Sequence, residues 1–423
     1  MNSATGETAP PGPVPSDEGE RLGGLDVLRG LAVLGILVPN IMGFGQPLEA
    51  TFMPGFFRVD PGPWSDDLWA IQFVLVDGKM RGLFALLFGA GLALFIDRSL
   101  ARGAGRSLVV RRLLVLAAFG AAHAVFLWAG DILWLYALVG LAVVPFLALA
   151  REQLLVIGVL GAIVGAALSA ATSLPAAFVD PAAPGEKEIA ALLAGEAALA
   201  ERDAAAEAAV ISGGDYAGFV ARNWDYFSTA PVLNLLYAGA ELFPLMILGA
   251  ALLRYGLFAG GAQPPALRAA AWAGLIIGGG ASALIAGWAM ARGLDYWTTG
   301  AAFAGWAPLP ALAMTLSLAL LLAPWAARAR GVAARLLAGA GRTAFTNYIG
   351  TSAVMMIVFH GWGLGLFGTL GRIELYGVAA LTWAGMLAWP QWWLARYRFG
   401  PLEWLWRCLT YGRLFPLREQ NAR

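Results

Sequence analysis

LDVLRGLAVLGILVPNIMGF, residues 25–44, is an apolar run interrupted by an acid, a base and an amide. About 20 apolar residues suffice to cross a bilayer, so the run is a candidate membrane span. A charged side chain at the centre of such a span costs about 2.5–3.5 kcal/mol on insertion scales, so it pairs and faces protein. Asp26 and Arg29 are three residues apart and share a helix face. Arg29 and Asn40 are eleven apart, which returns them to nearly the same face about 16 Å along the axis. Pro39 removes a backbone donor beside Asn40. The helix therefore presents a polar stripe. It is either a buried ion pair and amide that hold a bundle together or a ligand or catalytic site.

The rest of the chain extends this reading. Its 423 residues are 59% hydrophobic and 13% charged, against about 45–50% and about 25% for soluble domains. The expected fold is all-α, a polytopic membrane protein of about ten transmembrane helices with a small extracytoplasmic helical cap. Apolar runs fall at 25–46, 81–98, 110–129, 131–150, 153–174, 231–253, 267–291, 303–325, 344–368 and 375–396. The third and fourth meet at Gly130-Asp131 and should form a tight hairpin. With the N-terminus in the cytoplasm, 19 basic residues fall inside and 8 outside, leaving Arg29 in the membrane. The positive-inside rule then places both termini in the cytoplasm.

Residues 1–20 are rich in Pro, Gly, Ser and acids and should be disordered; 21–400 should form the bundle, with a cap insertion at 175–230. Within that insertion an Ala-rich, acid-bearing stretch near 186–210 is too polar to span and reads as a solvated helix. Residues 66–76 should form a helix at the interface. Residues 401–423 should hold a cytoplasmic interfacial helix and tail, anchored by Trp404, Trp406 and Arg407. The net charge of +1 argues against a nucleic-acid partner. Cys408 is the single cysteine, so no internal disulfide and no Cys-based metal cluster is expected. There is no phosphate loop and no G-x-S-x-G elbow. No metal and no bound cofactor are expected.

Several polar residues lie at membrane depth. His123 sits about six residues from the outer end of the third span, matching Asn40 on the first. Asp131 follows at the outer lip, where it could orient His123 or cap the next helix. His360 has few polar neighbours and reads as packing. Glu241 has no partner on its own helix; Arg222, Asp225 or Lys79 could reach it from the outer loops. Asn347, near Arg342, Thr343 and Thr346, could hydrogen-bond a neighbouring helix.

These stretches also carry a resemblance. RLGGLDVLRGLAVLGILVPNIMGFG (21–45), RGLFALLFGAGLALF (81–95) and RRLLVLAAFGAAHAVFLWAGDILWLYALVG (111–140) resemble the N-terminal half of YeiB-like bacterial inner-membrane proteins. ELFPLMILGAALLRYG (241–256), GRTAFTNYIGTSAVMMIVFHGWGLGLFG (341–368) and RYRFGPLEWLWRCLTYG (396–412) resemble the C-terminal half, a domain of unknown function. Transport has been suggested for the family. The LDVLRG opening is more distantly similar to membrane acyltransferases of the acyltransferase-three and heparan-glucosaminide acetyltransferase types. That likeness implies transfer from cytoplasmic acyl-CoA, as a co-substrate, to a lipid or sugar acceptor on the far side. Those enzymes carry an Arg, ten residues and a His; here Arg29 is followed at that spacing by Asn40, which is no general base.

The expected site lies between the first and third spans. His123 would be the base, Asp131 its orienting group and Asn40 a donor to the oxyanion. Arg29 and Asp26 would hold the inner end, with Glu241 and Asn347 as further substrate contacts. The alternative is a transporter of a small anionic or lipidic solute that uses the same residues without chemistry. A third reading is a scaffold in which the polar residues only hold helices together. The oligomeric state is not set by the sequence.

Overall fold

The computed structural model describes residues 23–418 except 104, 230 and 262, so the tail expected at 1–20 lies outside the described residues. Among the described residues the chain is all-α. Ten helices form the bundle: α1 (Gly23–Gly45), α3 (Lys79–Ala101), α4 (Ser107–Phe126), α5 (Leu133–Val143), α6 (Arg151–Ser173), α9 (Pro231–Arg254), α10 (Pro265–Ala291), α12 (Pro308–Arg328), α14 (Ala344–Phe359) and α15 (Arg372–Leu394). Shorter or polar helices stand between and after them: α2 (Ser65–Leu75), α7 (Lys187–Ser212), α8 (Tyr216–Thr229), α11 (Tyr296–Gly300), α13 (Gly331–Arg342) and α16 (Pro401–Tyr411).

Among the described residues, seven stretches are long and apolar enough to cross a membrane, two apolar helices, at Leu133–Ala148 and Ala344–Phe359, are shorter, and α15, the tenth expected span, falls in neither group. Both shortenings have local causes. Pro145 turns the end of the fourth expected span into a 3-10 stretch, Val144–Ala148. The ninth ends at Phe359 because the following glycines fold back, with Leu364 and Phe367 N–H groups donating to the Ile357 and Phe359 carbonyls. The eighth begins as a π-helical turn, Ala301–Trp306, before Pro308 starts α12. The α4–α5 link is six residues, 127–132, longer than the tight turn expected at Gly130-Asp131.

Small residues set the packing. A Cβ on Gly249 would strike the Leu86 carbonyl and one on Gly89 the Met246 carbonyl, so α3 and α9 touch backbone to backbone. Gly30 and Gly341 interlock α1 with α13 in the same way, against the Leu337 and Asp26 carbonyls. Helix α1 is the most buried span, with 67% of its apolar window covered, against 22% for α10, which stands at the edge. The expected solvated helix is α7; together with α8 it covers one end of the bundle. Tyr216 donates to the Phe126 carbonyl at 3.0 Å, the Leu48 N–H donates to Glu207 at 3.2 Å, and Arg58 pairs with Glu201 at 2.6 Å. The opposite end, where α1 begins, is rich in arginine.

Candidate functional site

A chamber of about 350 Å³ opens at the arginine-rich end between α1, α3, α4, α5, α14 and α16. The residues that form it reach it for different reasons. On α1, the Gly30 interlock turns the Asp26–Arg29 pair, 2.7 Å apart, into the chamber wall. On α4, the Arg112 guanidinium lies 3.6 Å from the Trp406 ring centroid and 4.8 Å from that of Phe95. The Trp406 indole N–H donates back to the Arg112 carbonyl at 2.9 Å. Glu403 anchors α16 across the floor. One oxygen accepts the Phe345 and Thr346 N–H groups at 2.8 and 3.0 Å, the other the Thr346 hydroxyl at 2.6 Å. Glu403 thus caps α14. Burial pushes its carboxyl above the usual range, and the bonds from Thr346 pull it back.

The charge of the lining is one-sided. Among the described residues, Arg29, Arg98, Arg102, Arg112, Arg342, Arg398 and Arg407 line it together with two carboxylates, Asp26 and Glu403. Asp26 is taken by Arg29, and Glu403 is engaged at the start of α14. Deeper in, the wall turns apolar and aromatic, with Ile36, Phe84, Phe88, Leu116, Ile132 and Tyr136. The chamber therefore suits a molecule with an anionic head and an apolar arm.

At the deep end, Tyr348 forms part of the wall, and behind it lies a buried chain of polar groups. His123 Nδ1 is 2.7 Å from Asp131 Oδ2, and Nε2 is 2.8 Å from Ser352 Oγ. Asp131 also accepts the Trp134 N–H at 3.1 Å, so it orients His123 and caps α5 at once. The Tyr348 hydroxyl accepts the Ile132 N–H at 3.3 Å and interacts with the Asp131 carboxylate. Ser352 can serve His123 in either charge state. Its O–H donates to a neutral ring; when Nε2 is protonated, that N–H donates to Ser352, whose proton turns to the Tyr348 carbonyl 3.4 Å away. The His side chain is 1% exposed and the Asp side chain 0%.

The structure joins some of the expected site residues and separates others. His123 and Asp131 meet, and Asp26 and Arg29 line the chamber. Among the described residues no hydrogen bond links Asn40 to His123, and Asn40 does not line the chamber. Glu241 pairs with Arg81, at 2.6 and 3.2 Å, and not with Arg222, Asp225 or Lys79. Arg222 is held by Asp203 at 2.7 Å, and Lys79 donates to the Phe73 carbonyl at 2.6 Å. Asn347 is occupied within the bundle. It accepts the Trp389 N–H at 2.6 Å and donates to the Met386 carbonyl at 3.4 Å, which agrees with a bond to a neighbouring helix and leaves it outside the chamber. His360 packs edge-on against Phe219 at 4.6 Å, as expected for packing. Sequence reasoning missed Ser352 and Tyr348. Arg98, Arg102 and Arg398 entered only in the count of basic residues on the inner side, and Arg407 as part of an interfacial anchor.

Residues 252–413 match the family "Protein of unknown function (DUF418)". The chain is 29% identical to the uncharacterized protein YxaH of Bacillus subtilis over 96% of its own length and 98% of the relative's. It is likewise 29% identical to the uncharacterized protein YeiB of Escherichia coli, over 94% and 98%. An uncharacterized 39.9 kDa protein from Bacillus acidopullulyticus is 28% identical over 94% and 96%. No solved structure matches. The chain is thus similar to YeiB along nearly all of its length.

Proposed function

We propose that this YeiB-like membrane protein binds an amphiphilic anion in the arginine chamber, and that its most concrete ligand is acyl-CoA acting as co-substrate. The supporting observation is the pairing of a strongly basic mouth with an apolar interior in one chamber. Phosphates would sit among the arginines, where guanidinium forks match them, and the thioester arm would run towards Tyr348. In this reading the chamber faces the cytoplasm of a bacterium, both termini are cytoplasmic, and the acyl group passes to a lipid or sugar acceptor. His123, oriented by Asp131, supplies the base. Asn40 has no contact that supports its expected part.

One observation favours the alternative, a transporter of a small anionic or lipidic solute. His123 and Ser352 are sealed behind Tyr348, with both ring nitrogens already engaged.

The test is to purify the protein and add radiolabelled acetyl-CoA to wild type, Arg112→Ala and His123→Ala. Acyl transfer predicts tight binding that Arg112→Ala weakens at least tenfold, with CoA release that His123→Ala abolishes. Binding without release, joined to uptake into proteoliposomes, overturns the enzyme reading in favour of transport. No binding overturns acyl-CoA as the ligand.

A further inference from the structure

Arg372, the first residue of α15, is fully buried at the capped end of the bundle, away from the arginine chamber. Its guanidinium lies 5.1 Å from the Phe57 ring centroid, and Phe57 packs with Ala200 and Ala204 of α7, which sets the arginine beneath the cap. Segment 57–65 wraps around it. The Arg372 backbone N–H donates to the Pro61 carbonyl at 3.3 Å, and its Nε donates to Ser65 Oγ at 3.1 Å. Nη1 and Nη2 are buried and have no hydrogen-bond partner among the described residues. The Tyr376 hydroxyl interacts with the guanidinium, but it donates to Gln72 Oε1 at 2.7 Å and satisfies neither Nη atom. Two charged donors without an acceptor are costly to bury.

The charges around Arg372 do not supply that acceptor. Lys79 is fully buried as well, and the Asp77 carboxylate, 5% exposed, is the one that both cations draw on. Asp77 is engaged by Gln72, whose Nε2 donates to its two oxygens at 3.1 and 3.2 Å, and Lys79 by the Phe73 carbonyl. Arg81, the next cation along, is paired with Glu241. Among the described residues two buried cations thus share one carboxylate, an excess of one positive charge. Two helix starts add to it, because α2 begins at Ser65 and α15 at Arg372, neither with a side-chain cap. Asp66, Asp67 and Glu374 in those first turns are exposed and bond to neither Nη atom.

We infer that Arg372 binds a small carboxylate at the capped end, in a site separate from the arginine chamber and independent of how that chamber is read. The donors set the class. One excess positive charge calls for a monovalent anion, and two adjacent N–H groups on a planar fork match two oxygens on one carbon better than they match a spherical halide. Burial beneath segment 57–65 restricts the ligand to a few atoms. Asp60, Pro63 and Trp64 of that segment are exposed, so the guanidinium lies one loop's thickness from solvent.

The experiment follows thermal unfolding and titration calorimetry of the full-length protein in detergent, with sodium acetate, formate and chloride at matched ionic strength. The wild-type melting temperature should rise with acetate and formate, in proportion to the logarithm of concentration once the site is half-filled. Chloride should need at least about tenfold more for the same rise. Arg372→Lys keeps the charge but loses the fork, and should weaken acetate binding at least about tenfold. Arg372→Met keeps the length and removes the donors; it should abolish acetate binding and leave only the general salt response. If the methionine variant does not fold, the lysine variant and the wild-type ranking of anions still decide. Chloride that binds as tightly as acetate overturns the carboxylate class. An acetate response that Arg372→Lys leaves unchanged belongs to other cations, and a wild type that ignores acetate and formate has nothing but water for the two nitrogens; either result overturns the site.

Discussion

His123→Ala should destabilise the protein more than Ser352→Ala does. The first leaves the Asp131 carboxylate buried without its nearest donor, at a cost of about 3 kcal/mol, and the second removes one hydrogen bond worth about 1 kcal/mol. Thermal unfolding of both variants in one detergent checks the order, and equal losses would mean that Asp131 is satisfied without the imidazole. The contact between His123 and Asp131 was legible, because two polar groups eight residues apart around a turn between apolar helices have few other partners. Ser352 was not. A hydroxyl in an apolar helix carries no mark of a partner 229 residues away. Glu241 was misread for a related reason. The sequence search looked for its cation in loops, whereas Arg81 stands in the first turn of α3, which packs along α9.

At the scale of elements, helix contacts are close enough to be fragile. Gly249→Ala places a methyl group against the Leu86 carbonyl and should lower thermal stability by about 1–3 kcal/mol, whereas Gly280→Ala, with open space around it, should change little. Parallel melts of the two variants decide this. The α7–α8 cap adds a dependence on pH. Burial, and then the neighbouring Glu49, push Glu207 up to about 7; the Leu48 N–H and Arg222 pull it down, while Asp203 adds to the rise. The docked cap thus favours the protonated acid. Its contribution to stability is full below about pH 4.5, where the free carboxyl titrates, and is lost as pH rises towards 7. Unfolding temperature should accordingly be higher at pH 5 than at pH 8, and Glu207→Gln should flatten that difference; a wild-type profile as flat as the variant's would remove Glu207 as its source. The acid-bearing α7 and the Trp-rich α16 were legible from composition. That α16 turns inward was not, because Trp406 reads equally well as an interface anchor until Arg112 is seen above its ring.

For the molecule as a whole, orientation is the open test. Cys408 is the only cysteine and is buried, so introduced thiols report cleanly. Leu192, 71% exposed on α7, and Val332, 62% exposed on α13, mark the two ends. Leu192→Cys should react with an impermeant maleimide in intact cells, and Val332→Cys only after permeabilisation; the reverse pattern would invert the protein. The basic end was legible as charge bias, but its closure into a chamber was not, since it joins helices from both halves of the chain. That arrangement bears on biogenesis. Arg112 waits for Trp406, 294 residues later in the chain, and His123 for Ser352, 229 residues later. Yet Asp26 sits three residues from Arg29, and His123 eight from Asp131. Asp26, Arg29, His123 and Asp131 thus leave the ribosome with a neighbour close enough to neutralise or bond them, whereas Arg81 waits for Glu241, 160 residues later. Those four groups can therefore enter lipid before the helices that complete the chamber have been made.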